Sequence, residues 1–264
     1  MSGTRVPPNF DPYTQNITLL DKDGDSFTVS MRDFDMYRLY ASRLAINYAS
    51  QIGASLILLL VLLLLTRAEK RKSFIFIINA FSLASNTIRC ILLCCYLTGN
   101  RYHPYSQISG DWSHVTRSDF AVAISSDILT LLVTALVFVS LILQIWVVCI
   151  TTPAVQRNII MATTSSVACV ALGFKVALFF HNTRQLLAYQ GMEACKTLIG
   201  VTYVLQGVAL CLFSCVFTFK LGYAVVQRRR LNMPQFGPMQ IVFIMGCQTM
   251  LVPGMLQLNW IIIA

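Results

Sequence analysis

The residues best able to do chemistry in this chain are polar side chains set inside long apolar runs. Asn79, Ser82 and Asn86 recur at i, i+3 and i+7, which places them on one face of a helix. Asn79 lies about five residues from one end of its run, and Gln144 about six from the end of another. At ~1.5 Å per residue, two antiparallel helices bring these amides to nearly the same depth. An amide left unpaired in hydrocarbon costs several kcal/mol, so each needs a partner and each can supply one. Bonds of this kind are worth only ~0.6–2 kcal/mol, weak enough to break in a switch. Plain interhelical glue is the competing reading.

Four charges also fall within apolar runs: Arg89, Asp127, Lys175 and Lys220. Such groups are costly and usually face a bundle interior or cavity. Lys220 sits about two turns before Arg228, Arg229 and Arg230 and can snorkel, which makes it a boundary residue. Arg89 and Asp127 either line an outward cavity, where they could pair, or sit individually at the interface. Near the C-terminus, Gln248, Thr249, Pro253 and Gly254 interrupt an uncharged run. Pro253 removes one backbone donor and clashes with the preceding turn, which makes either a hinge or a static kink. His103, His114 and His181 are scattered, and no span holds a His/Glu pair, a zinc motif or a nucleophile–base set. No catalysis, metal or cofactor is therefore expected.

The elements that must position these groups follow from composition. The chain has 264 residues, 56% hydrophobic and 12% charged, against about a quarter charged in soluble domains. Long unbroken apolar stretches of ~20 residues suit membrane-spanning helices and exclude a barrel. The fold class expected is all-α, a polytopic transmembrane helix bundle. Six spans are legible, at about 44–66, 74–98, 121–150, 159–182, 197–226 and 239–263, after an N-terminal segment 1–43. The nine cysteines fall mostly inside these runs and read as buried core thiols.

The net charge of +9 is concentrated beside the spans, so a membrane surface and not nucleic acid is the implied partner. Arg67, Lys70, Arg71, Lys72, Arg157 and Arg228–Arg230 occupy the short loops, against the single acid Glu69. The positive-inside rule then puts those loops in the cytoplasm and the N-terminus outside. The sequon Asn16-Ile17-Thr18 falls in that outer tail and marks a candidate glycosylation site. No signal peptide is visible, and six spans place the C-terminus outside as well.

Two stretches carry a family resemblance. Residues 244–253, IMGCQTMLVP, preceded by Gln235-Phe236, resemble the sixth helix of fungal α-factor-type pheromone receptors, the class D G-protein-coupled receptors. Residues 72–83, KSFIFIINAFSL, resemble their second helix, and Leu143-Gln144-Ile145, Phe219-Lys220-Leu221 and Arg228–Arg230 also match. Asp25–Val29 stands where the family has a short strand.

The resemblance implies a peptide pheromone as ligand, a heterotrimeric G protein as partner and a plasma-membrane location. It implies an activation-sensitive set of Asn79, Gln144, Gln248 and Pro253. It assigns Arg89, Tyr96 and Asp127 to the ligand side, and Arg157, Lys220, Arg228, Arg229 and Arg230 to the G-protein side. Ala49-xxx-Gly53 is a weaker small-residue pair than the family's Gly-xxx-Gly, so a homodimer through helix 1 is implied less strongly. The family has seven spans and a cytoplasmic tail, whereas six spans are present here. A truncated, non-signalling receptor form is therefore one alternative. A six-span transporter or channel is another, although neither matching halves nor paired broken helices are found.

Overall fold

The computed structural model describes residues 11–66, 68–150, 152–188 and 196–230. The sixth span, with Gln248 and Pro253, lies outside the described residues. An antiparallel hairpin comes first, β1 (Asn16–Leu20) and β2 (Ser26–Ser30), in the register Asn16 to Ser30 through Leu20 to Ser26. Its turn closes through Asp21 N–H to the Asp25 carbonyl at 2.8 Å. Gly24 supplies the left-handed φ of 85° there. Helices α1 (Met31–Leu65), α2 (Phe74–Thr98), α3 (Pro104–Ser109), α4 (Arg117–Cys149), α5 (Ala154–Leu187) and α6 (Lys196–Arg230) follow.

Five of these helices, all but α3, are long and apolar enough to cross a membrane. The chain is a polytopic helical bundle. Hydropathy marks the apolar middle of a span and not its helical ends. Thus α1 begins at Met31, well before the apolar run, because residues 31–43 contain neither Gly nor Pro. Ser30 caps that end, its Oγ accepting from the Arg32 N–H at 3.2 Å. At the other end Arg71 donates to the carbonyls of Leu63 at 2.7 Å and Thr66 at 3.0 Å. One guanidinium thus satisfies two orphan acceptors at the negative end of the helix.

The chain divides into two compact units. One comprises the described residues up to Leu58 together with Asn86–Ser126, and the other Leu59–Ser85 together with the described residues from Asp127. In the first unit, residues 99–120 are folded and not an open loop. A 3-10 turn (Asn100–Tyr102) leads into α3, which has Pro104 in its first turn and ends on Gly110 at φ 71°. The Tyr105 hydroxyl donates to the Leu20 carbonyl at 2.9 Å, tying α3 to the hairpin.

In the second unit the core runs along one face of α4, Phe138, Leu141, Ile145 and Cys149, at helical spacing. It meets Ala168 and Ala171 of α5 and Ala209 and Phe213 of α6, whose small residues permit close approach. The Phe138 and Phe213 rings stack at 6.1 Å. Leu64, Leu65 and Ile57 on α1 point outward, a large apolar exposure that suits lipid and not water. The cysteines are not all buried core thiols. Cys90 and Cys149 are buried, but Cys95, Cys169, Cys211 and Cys215 lie on outward faces. Apolar surroundings in a bilayer come from lipid as well as from protein, so hydropathy alone does not separate the two.

Candidate functional site

Polar assemblies occur in both units. In the second unit the stripe of α2 meets α4 through a residue the sequence reading did not single out. Ser140 Oγ donates a short hydrogen bond to Asn79 Oδ1 and accepts from Gln144 Nε2 at 3.1 Å. Ser140 is 4% exposed. Asn79 and Gln144 are thus brought together through a hydroxyl. The signal was present, since Ser140 lies four residues before Gln144 on the same helical face. Asn86, on the same stripe of α2, instead donates to Ser55 Oγ of α1 at 2.7 Å, within the first unit.

The intramembrane charges find neighbours that the sequence reading had not named. Arg89 Nη2 donates to Gln51 Oε1 at 2.9 Å, and its Nε is buried with no hydrogen bond. Gln51 in turn donates to Asn47 Oδ1 at 3.2 Å. Asn47, Gln51 and Ser55 are a stripe at i, i+4, i+8 that periodicity alone could have found. Asp127 accepts from Asn182 Nδ2 of α5 at 2.6 Å. Arg89 thus meets Gln51 within the first unit, and Asp127 meets Asn182 within the second. A neutral amide is one partner of each charge. Lys175 lies over the Tyr203 ring at 4.9 Å.

The remaining candidates divide by element. Tyr96 meets Tyr102 edge-on at 5.8 Å, and Tyr102 stacks on Tyr37 at 5.2 Å. The Tyr37 hydroxyl donates to the Tyr102 carbonyl at 3.3 Å. Burial, with the phenols of Tyr40 and Tyr96, pushes the Tyr102 phenol up to about 12 against a smaller lowering by the Tyr37 side chain, so it stays neutral. Arg157 stacks over Trp146 at 5.3 Å, with a buried Nε that has no hydrogen bond. Lys220 Nζ reaches Thr152 Oγ1 at 3.5 Å, at the edge of hydrogen-bond range. Arg228, Arg229 and Arg230 close α6. Asn16 is exposed as the first residue of β1.

Residues 99–120 hold a group that sequence reading counted only as a loop charge. Arg101 is 8% exposed, its guanidinium 5.2 Å from the Trp112 ring centre and 5.4 Å from that of Phe120. Each such contact is worth ~0.5–2 kcal/mol, less than the several kcal/mol that withdrawing a full charge from water costs. The histidine nearby is structural, since His103 Nδ1 accepts from the Tyr105 N–H at 3.3 Å and caps α3.

Comparison with known proteins bears on what these assemblies serve. The sequence model of the fungal pheromone mating factor STE2 GPCR family matches residues 10–263. The pheromone P-factor receptor of Schizosaccharomyces pombe is 24% identical over 250 residues, covering 91% of this chain and 70% of the relative. The pheromone alpha factor receptor of Saccharomyces cerevisiae is 26% identical over 260 residues, 97% of this chain and 59% of its own length. That of Lachancea kluyveri is 25% identical over 253 residues, with 94% and 58% covered. The chain thus spans about three-fifths of the length of the alpha factor receptors it matches. These matches correct the reasoning on catalysis. Missing catalytic motifs do not decide a protein's class, and what bears on it is that the relatives are receptors.

Proposed function

Because this chain belongs to the fungal pheromone mating factor STE2 GPCR family, we propose that it is a plasma-membrane receptor for a secreted peptide pheromone. The peptide binds from outside, where the N-terminus also lies, and the signal passes to a heterotrimeric G protein in the cytoplasm. Arg89, Tyr96 and Asp127 stand on the ligand side. Arg157, Lys220, Arg228, Arg229 and Arg230 stand on the G-protein side. Gln248 and Pro253 let the sixth span move between resting and active arrangements.

The observation that carries the switch is the Asn79–Ser140–Gln144 relay. A ligand shifts an equilibrium only by its differential affinity for two states. A relay built of neutral hydrogen bonds costs little to exchange, so modest binding energy suffices to break it.

The test is expression in cells that carry a pheromone-responsive G protein, with synthetic P-factor and alpha factor peptides applied outside. A saturable G-protein response supports the reading. Pro253→Leu is expected to raise ligand-independent output at normal surface expression. Flat basal output in that variant would remove the hinge, and silence to every pheromone would remove the receptor.

A further inference from the structure

Resting on the receptor reading only for the identity of the ligand, we propose that Arg101 is an anion-recognition centre that takes a carboxylate of the bound peptide. Arg101 is more than nine-tenths buried as a residue, and its guanidinium lies over the Trp112 and Phe120 rings. Ring faces attract a cation but leave its charge uncompensated and its planar fork of N–H donors without a matching acceptor pair. Two acids of the same segment bond to neighbours in their own turns. Asp111 accepts from the Ser113 N–H at 2.9 Å and its hydroxyl at 3.1 Å. Asp119 accepts from the Thr116 N–H at 2.9 Å and its hydroxyl at 2.8 Å. Among the described residues, the one salt bridge is Arg38–Asp35, so no carboxylate lies within bridging distance of Arg101.

The site is also held in place before any ligand arrives. Gln107 Nε2 of α3 donates to the Arg101 carbonyl at 3.0 Å, and Asn100 Nδ2 donates to the His114 carbonyl at 3.4 Å. Tyr102, the next residue, is fixed by the Tyr37 and Tyr96 rings. A preorganised guanidinium loses little freedom on binding and favours a bidentate carboxylate over a neutral amide. The carboxylate is either the peptide's C-terminus or an acidic side chain, which share this chemistry. A guanidinium that merely pinned the loop would show no preference between carboxylate and amide.

The test needs no G protein. Trp146→Phe with Trp260→Phe leaves Trp112 as the sole tryptophan of the three, and its emission reports on the site. The purified full chain is titrated with N-acetyltyrosine and with N-acetyltyrosinamide. The expected result is saturable binding of the carboxylate, about ten- to hundredfold tighter than the amide. Arg101→Gln abolishes the difference, and Arg101→Lys, which keeps the charge without the fork, retains part of it. Equal responses to both probes, or a preference that survives Arg101→Gln, would overturn the proposal. Should Arg101→Gln not fold, an undiminished preference in Arg101→Lys overturns the role of the fork.

Peptides that activate the receptor, amidated at the C-terminus or with each acid changed to its amide, identify which carboxylate is read. A chain that answers pheromone but ignores all these changes sinks the anion site alone. A chain that discriminates the two probes yet ignores every pheromone sinks the receptor reading alone.

Discussion

Ser140 stands between Asn79 and Gln144, donating to the carbonyl oxygen of one amide and accepting from the nitrogen of the other. The two amides are coupled through a single hydroxyl, so removing that hydroxyl and removing an amide have overlapping effects. Ser140→Ala and Gln144→Leu are each expected to change basal output or pheromone sensitivity about three- to thirtyfold, from ~0.6–2 kcal/mol per bond. The double variant should fall well short of the product of the two. Dose–response curves at matched surface expression are the measurement. Unchanged curves would leave the relay as glue.

Asp127 and Asn182 form a second interhelical bond at 2.6 Å, between α4 and α5. Asn182→Leu withdraws the amide donor from the carboxylate and should cost about 1.5–3 kcal/mol, as for hydrogen bonds to charged groups. Asp127→Leu in the same chain should restore most of the loss, because no carboxylate then remains to satisfy. Thermal unfolding of the purified protein in detergent measures both. Equal stability of Asn182→Leu and the parent would show that the bond contributes nothing.

Arg71 caps α1 by donating to the Leu63 and Thr66 carbonyls. Arg71→Ala should lower stability by about 1 kcal/mol, whereas Lys72→Ala, the exposed neighbour, should change it little. The same thermal assay separates them. Identical behaviour would mean that the loop acts only by its total charge.

Asn16 is exposed at the start of β1, and the proposed orientation puts it outside the cell. The chain expressed in yeast should migrate faster after treatment with an N-glycosidase, and Asn16→Gln should abolish that change. A treated and untreated chain of equal mobility would argue against modification at this position.

Much of the fold was legible because burying backbone in lipid leaves few options, and apolar length alone announces the spans. The unusual residues within those spans were legible for the same reason, since each polar group there is an exception that needs satisfying. Their partners were harder to read. Asn79, Gln144, Arg89 and Asp127 stood out as residues, but Ser140, Gln51 and Asn182 are ordinary polar residues with several helical neighbours. Arg101 was least legible. In the sequence it resembles any loop cation, and only the folding of residues 99–120 brings Trp112 and Phe120 against it.

By itself the sequence determined the class of the molecule, a polytopic helical membrane protein, and through two motifs the family to which it belongs. Both depend on local properties, namely apolar length and the identity of residues at fixed spacing. The tertiary structure decided which polar groups meet. Helical periodicity places Asn79 and Asn86 on one face of α2, yet the crossing of the helices sends one to Ser140 of α4 and the other to Ser55 of α1. A hydrogen bond requires its atoms within about 3 Å. Small differences in helix rotation and crossing decide that distance, and composition and spacing do not specify them.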